Sequence, residues 1–172
     1  MKKIIAGSAI ALALTTTAWA DMNIGIGLTL NDIVSGNGTS VRVPLDLVGK
    51  NIRIEPELGF SRASYSGNKD YSSSQYTIAC GGYYTLWNVD KVNFYTGGRF
   101  AIERRAVDDD YSKFSENTTG FGLQGLFGAE YLLTEKFSVA AQAGLELGFG
   151  SDVSTFGTVG HVIIRYFFVP SN

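Results

Sequence analysis

From Met22 to Phe168 the chain runs through eight stretches in which apolar residues alternate with small or polar ones, and no residue on the apolar side of any stretch is charged. A period of two is the spacing of a β-strand with one apolar face. The stretches are 22–30, 41–47, 52–60, 76–86, 92–102, 121–133, 137–149 and 160–168. Met22, Ile24, Ile26 and Leu28 open the series, and Val162, Ile164, Tyr166 and Phe168 close it. None of them is a continuous apolar run of the length a spanning helix needs.

The connections between these stretches differ in kind. Short ones fall at Gly49-Lys50, at Trp87 to Lys91 and at Thr134 to Lys136. Long polar ones fall at Asn31 to Thr39, Ser61 to Ser74, Glu103 to Thr119 and Gly150 to Gly157. Short turns at one end and long loops at the other are the pattern of an up-and-down barrel in an outer membrane. Period two alone does not say whether the apolar face points inward, as in a soluble ligand-binding barrel, or outward to lipid. Lysine decides. Beyond residue 20 the lysines are Lys50, Lys69, Lys91, Lys113 and Lys136, all in turns or loops. A sheet with its polar face in water would carry several along the strands. Charged residues make up only 17% of the chain, against ~25% for an average soluble domain. Aromatic residues gather in two belts, with Tyr84, Phe94, Tyr131, Phe137, Tyr166 and Phe168 toward the short turns and Phe60, Tyr76, Phe100, Phe121 and Phe149 toward the long loops. The fold class is therefore all-β: an eight-stranded antiparallel transmembrane β-barrel, an up-and-down meander with short periplasmic turns and long extracellular loops.

Residues 1–20 read as a secretory signal peptide. Lys2 and Lys3 precede an apolar core from Ile4 to Leu14, and Ala18-Trp19-Ala20 has the small-x-small form of a cleavage site. The barrel domain then spans 21–172, which implies export through the periplasm. The single cysteine, Cys80, lies within a strand pattern and reads as a small apolar residue. A net charge of −2 gives no basis for nucleic-acid binding.

The polar face carries a charge network. Arg42, Asp46, Arg53, Glu55 and Glu57 fall on the inward face of the second and third strands, Arg99 on the fifth, Glu130 and Glu146 on the sixth and seventh, and His161 and Arg165 on the eighth. With Gly49-Lys50 as a two-residue hairpin turn, Asp46 opposes Arg53 and Arg42 opposes Glu57, two opposite-sign cross-strand pairs. Glu55 is then expected near a further base, Arg99 or Arg165. Removing one member of such a pair is expected to cost ~3–5 kcal/mol, and exchanging Arg42 and Glu57 to recover much of that loss. The lumen of an eight-stranded barrel is just wide enough for side chains, so the network reads as a plug rather than a gate. Pro44 and Pro56 fall inside strands of a ring with no free edge, and a local bulge is expected to accommodate them.

Gly120 to Val139, a Gly-rich strand ending in Gly128-Ala129-Glu130-Tyr131 followed by a tight turn and a second strand, resembles a recurring segment of opacity-type and OmpA/OmpX-like eight-stranded barrels. The last strand, Gly160 to Phe168, is similar to the aromatic-ended strands that the barrel-assembly machinery reads, although this chain does not end on an aromatic. The resemblance implies outer-membrane lipid and lipopolysaccharide as surroundings, that machinery during biogenesis, and an adhesion, resistance or structural role. A narrow small-solute channel is the alternative, and a lipid-modifying enzyme a weaker one. The only histidine, His161, lies on the lumen face and Ile163 stands where lipid A deacylase barrels have Ser, so no catalytic set is complete. No cofactor or metal is implied. Asp108, Asp109 and Asp110 with Glu116 lack the spacing of a calcium loop and read as a solvated acidic loop. In the same loop, Arg104, Arg105, Tyr111, Lys113 and Phe114 join the three aspartates as candidate contacts with a host or cell-surface protein.

Overall fold

In a lipid interior each backbone N–H and C=O must find its partner within the protein, and the sheet does so by closing on itself. The computed structural model describes residues 22–30, 39–47, 49–65, 71–109, 114–150 and 154–168. The signal segment, the connection at 31–38 and the tail from Val169 lie outside them. The strands are β1 (Met22–Thr29), β2 (Thr39–Arg42), β3 (Leu45–Leu47), β4 (Ile52–Tyr65), β5 (Tyr71–Val89), β6 (Val92–Asp109), β7 (Phe114–Leu132), β8 (Phe137–Phe149) and β9 (Ser154–Phe167). β2 and β3 follow one another along the same stave, each pairing with β1 on one side and β4 on the other. The remaining pairings run antiparallel in chain order, and β9 returns to β1 from Gly25↔Phe167 to Thr29↔Ile163. The result is a closed ring of eight staves.

The interruption between β2 and β3 is where the prolines sit. Pro44 and Pro56 are close to one another across the β2/β3–β4 ladder, so both missing N–H donors fall in one place. Neighbouring groups keep part of the ladder: Val43 N–H donates to Pro56 O (2.9 Å), and Gly25 N–H donates to Pro44 O (3.0 Å). The register is identical on either side, Arg42↔Glu57 above and Asp46↔Arg53 below. No extra residue enters, so the prolines cause a gap in the strand rather than the expected bulge. A register shift occurs instead on β5, between Thr85 and Trp87.

Two connections are shorter than the sequence pattern suggests. The β4–β5 ladder continues to Tyr65↔Tyr71 and the β6–β7 ladder to Asp109↔Phe114. Much of 61–74 and 103–119 is therefore strand that rises past the apolar band. These segments are polar on both faces, which hides the period-two signal, but the backbone ladder needs no apolar side chain. At the other end the β3–β4 turn is wider than two residues. Its last described rung is Leu47↔Ile52, Lys50 N–H donates to Leu47 O, and Gly49 and Asn51 both have positive φ (76° and 52°). The two residues of the β5–β6 turn are Asp90, at φ 51°, and Lys91. Thr134 Oγ1 accepts from the N–H of Lys136 (3.2 Å) and of Phe137 (3.0 Å), tying the β7–β8 turn.

The outward wall is apolar and exposed. Ile26, Leu28, Ile54, Leu58, Ile78, Leu123, Leu145 and Val162 form its band, and Cys80 lies in it as a free thiol. In water a patch of this extent would drive association; against lipid it is the matched surface. Phe60, Tyr76, Phe100, Phe121 and Phe149 ring the band on the loop side, and Tyr84, Tyr131, Tyr166 and Phe168 on the turn side. Inside, Tyr83 and Tyr95 pack edge to face with centroids 5.6 Å apart, next to Leu126. Glycine makes room for them. A Cβ on Gly81 would lie 2.5–2.7 Å from the Tyr83 ring, and one on Gly128 would lie 2.6 Å from Cζ of Tyr95.

Gly81→Ala is expected to destabilise the folded barrel by about 1–3 kcal/mol, since the ring has to leave its position. Adding Tyr83→Ala should remove most of the difference between Gly and Ala at position 81. Denaturant titration of the heat-shifted gel band measures both.

Candidate functional site

Strand alternation aims every second side chain at the lumen. On β4 that gives Arg53, Glu55 and Glu57, on β2 Arg42, on β3 Asp46, on β6 Arg99, on β7 Glu130 and on β9 Arg165. Their contacts form one unbranched chain of alternating sign, Asp46–Arg53–Glu130–Arg165–Glu55–Arg42–Glu57–Arg99. Arg53 donates to Asp46 from Nε and from Nη2 (3.0 Å to Oδ2), and Nη2 also meets Glu130 Oε2 at 2.9 Å. Glu130 Oε1 accepts from Arg165 Nη1 at 3.1 Å and from the Ser138 hydroxyl at 2.6 Å. Arg165 grips Glu55 with a fork, Nε to Oε1 at 2.8 Å and Nη2 to Oε2 at 3.2 Å. Glu55 Oε2 meets Arg42 Nη1 at 3.4 Å. Arg42 Nε lies 3.3 Å from Glu57 Oε2 and donates to Thr29 Oγ1 at 2.8 Å. Glu57 Oε2 then accepts from Arg99 Nε at 2.7 Å.

The exposures explain the alternation. Arg165 is 0% exposed, and Arg42, Glu55 and Glu130 are each 1%. Removing such a charge from water costs several kcal/mol, which only good pairing offsets. In this chain each of the six inner members has an opposite charge on both sides, and the four acids balance the four bases. Asp46, at the turn end, is partly exposed and among the described residues pairs with Arg53 alone. Arg53 also lies over the buried Phe167 ring, 5.5 Å from its centroid. The partner of Glu55 is thus Arg165 with Arg42, while Arg99 pairs with Glu57.

Glu146 and His161 stand outside this chain, toward the loop end. Gln124 joins them, its Oε1 accepting from His161 Nε2 (3.3 Å) and its Nε2 donating to Glu146 Oε2 (3.0 Å). Gln75 Nε2 likewise donates to Glu103 at 3.1 Å. Above them a cleft of about 410 Å³ opens at the barrel mouth, lined in part by Gln75, Glu103, Arg105, Thr118 and Glu146. Of the proposed surface contacts, Arg104 and Arg105 are exposed. Arg105 Nε donates to Ser73 Oγ at 3.4 Å. Asp110, Tyr111 and Lys113, with the side chains of Asp108, Asp109 and Phe114, lie outside the described residues. The sequence reading missed the lumen members Tyr83, Tyr95, Leu126, Ile163 and Phe167. Strand parity would have found them, since each differs in parity from the lipid-facing residues of its own strand, which for Tyr83 are those before the Thr85–Trp87 shift.

The pairing also revises the charge-exchange expectation. Exchanging Arg42 and Glu57 would set an acid at 42 beside Glu55 and a base at 57 beside Arg99, so the exchange is not compensating.

A closed eight-stave ring with an apolar outer band, two aromatic belts and an ionic interior defines an outer-membrane β-barrel. The sequence matches the outer-membrane protein β-barrel domain family over residues 4–160, and the chain belongs to that family. Its place is the outer membrane of a Gram-negative cell. Solved structures share the fold. The Neisserial surface protein A is 18% identical, with 84% of this chain and 94% of that one covered at a TM-score of 0.51. The attachment invasion locus protein Ail of Yersinia pestis, in complex with the heparin analogue sucrose octasulfate, is 15% identical, with 86% and 97% covered at a TM-score of 0.55. No curated protein matches the sequence.

Glu55→Gln leaves Arg165 and Arg42 each short of a partner and is expected to cost about 3–5 kcal/mol. Asp46→Asn should cost clearly less, because Arg53 keeps Glu130 and the site is partly exposed. The Arg42→Glu/Glu57→Arg exchange should be no more stable than the worse of its single variants. Urea unfolding in detergent or vesicles, read by intrinsic fluorescence, ranks these variants against the wild type.

Proposed function

We propose that this protein is a non-catalytic outer-membrane barrel whose lumen is plugged by its own side chains, and whose work is done at the cell surface as a structural or adhesion- and resistance-type component. The observation that carries the reading is the unbroken alternating charge chain. It ties β2, β3, β4, β6, β7 and β9 together across the interior, with Tyr83, Tyr95, Ile163 and Phe167 filling beside it. A conducting pore needs a continuous water path, and each link of this chain would have to separate buried charge to make one. His161 lies inside the lumen against Gln124, whereas a lipid-modifying centre needs its reactive groups at the lipid face. Residues 1–20 act in this reading as a removable export signal. Lipopolysaccharide surrounds the barrel, the barrel-assembly machinery inserts it, and a surface macromolecule meets the strand extensions beyond the outer belt. The Ail complex with a sulfated sugar makes a polyanion one class of ligand to try there.

In planar bilayers the wild-type protein is expected to give no steady unitary conductance, while Glu55→Ala combined with Glu130→Ala should produce openings. Steady steps from the wild type would contradict the plug and favour a narrow channel. Replacing the connections at 66–70 and 110–113 with short Gly-Ser turns should abolish adhesion of expressing cells while the folded gel band persists.

A further inference from the structure

Among the described side chains, the outward wall carries charge along its strands in one place. Among residues whose side chains are described, Arg62 on β4 and Arg104 on β6 are the charged groups that point away from the lumen along the strands, and both are exposed. They flank β5. Tyr76 pairs directly with Arg104, and Arg62 pairs with Ser74, two residues along β5 from Tyr76. One rung toward the membrane centre the same face is Leu58, Ile78, Ile102 and Phe121, all apolar and exposed. One rung outward it is Arg62, Ser74, Ala106 and Asn117. The two guanidinium groups therefore stand where the apolar band ends, on either side of a belt tyrosine whose ring packs on Phe60 with centroids 5.1 Å apart. Neither arginine has a carboxylate partner among the described residues.

A wall that admits no charge across its apolar band, then places at its outer margin two arginines with no carboxylate partner among the described residues, calls for an anion at that depth. An aromatic belt marks the level of the headgroups, and Arg is suited to phosphate because its fork donates two parallel hydrogen bonds. We propose that Arg62, Tyr76 and Arg104 bind a phosphate group of an outer-leaflet phosphoglycolipid, the lipid A portion of lipopolysaccharide. The acyl chains then lie along Leu58, Ile78 and Ile102, and the sugar edge meets Tyr76. A soluble polyanion is the poorer match, because both arginines face sideways into the leaflet rather than up from the barrel mouth. The site rests on the outer-membrane location and its lipopolysaccharide surroundings, and stands independently of adhesion and of the plugged lumen.

The test uses the full mature barrel folded in detergent, titrated with lipid A, with lipid A stripped of its phosphates, with inorganic phosphate and with sucrose octasulfate, binding being read by native mass spectrometry. Lipid A is expected to bind the wild type at least about tenfold more tightly than the dephosphorylated form, and the double variant R62S/R104S should lose that preference. A control with the same charge change at the turn end, K50S/K91S, should keep it. Each single variant should lose a measurable part, so the result does not depend on the double variant folding well. Equal binding of dephosphorylated lipid A, an unchanged preference in R62S and R104S, or displacement of lipid A by inorganic phosphate or sucrose octasulfate at matching concentration would overturn the proposal. Loss of cell adhesion in the loop-replaced protein, with this preference intact, separates the two readings.

Discussion

The requirement that no backbone polar group be left unpaired in lipid sets everything else in this molecule. It forces β9 back onto β1 and removes free edges. With eight staves the closed ring has an interior narrow enough for side chains to meet across it. Charge inside that interior survives only in partnership, and the chain from Asp46 to Arg99 is the form the partnership takes. The same requirement makes proline costly. Pro44 and Pro56 are tolerated because they share one gap, which Gly25 and Val43 help to close with their own N–H groups.

The ion-pair chain and the wall stabilise each other. Register errors of one residue would turn Asp46, Glu55 and Glu57 toward lipid. The alternating contacts work against such slips because they link staves far apart in sequence, as Arg165 on β9 does to Glu55 on β4. A network in which every inner member has two partners also differs from a set of pairs in its response to change. Charge reversal at one link creates repulsion at the next. The interior is therefore specified as a unit, which is the best attested use of buried polar groups.

Much of this was readable in the sequence. The lipid-facing parity, the charge-free apolar side and the turn-only lysines gave the barrel and its orientation. The two opposite-sign pairs at Asp46–Arg53 and Arg42–Glu57 gave a register that survives the proline gap. The Arg165–Glu55–Arg42 junction was less accessible. It depends on how strands distant in sequence stagger around the ring, and only Arg99 or Arg165 in general terms could be named. Tyr83 and Tyr95 are hard to read in the sequence because aromatics suggest belts, although their parity and the glycines at 81 and 128 point inward. The strand extensions at 61–65 and 103–109 look like loops in the sequence because polar residues on both faces erase the alternation that reveals a strand in lipid.

The eight lumen charges touch in alternating order within the membrane. Solid-state NMR of the barrel in lipid bilayers, with labelled arginine side-chain nitrogen and glutamate carboxyl carbon, reads those contacts without mutation. Direct nitrogen–carbon transfer between Arg165 and both Glu55 and Glu130, together with transfer between Arg53 and Glu130, is the predicted result. Guanidinium groups that show water contact and no transfer to any carboxylate would contradict it.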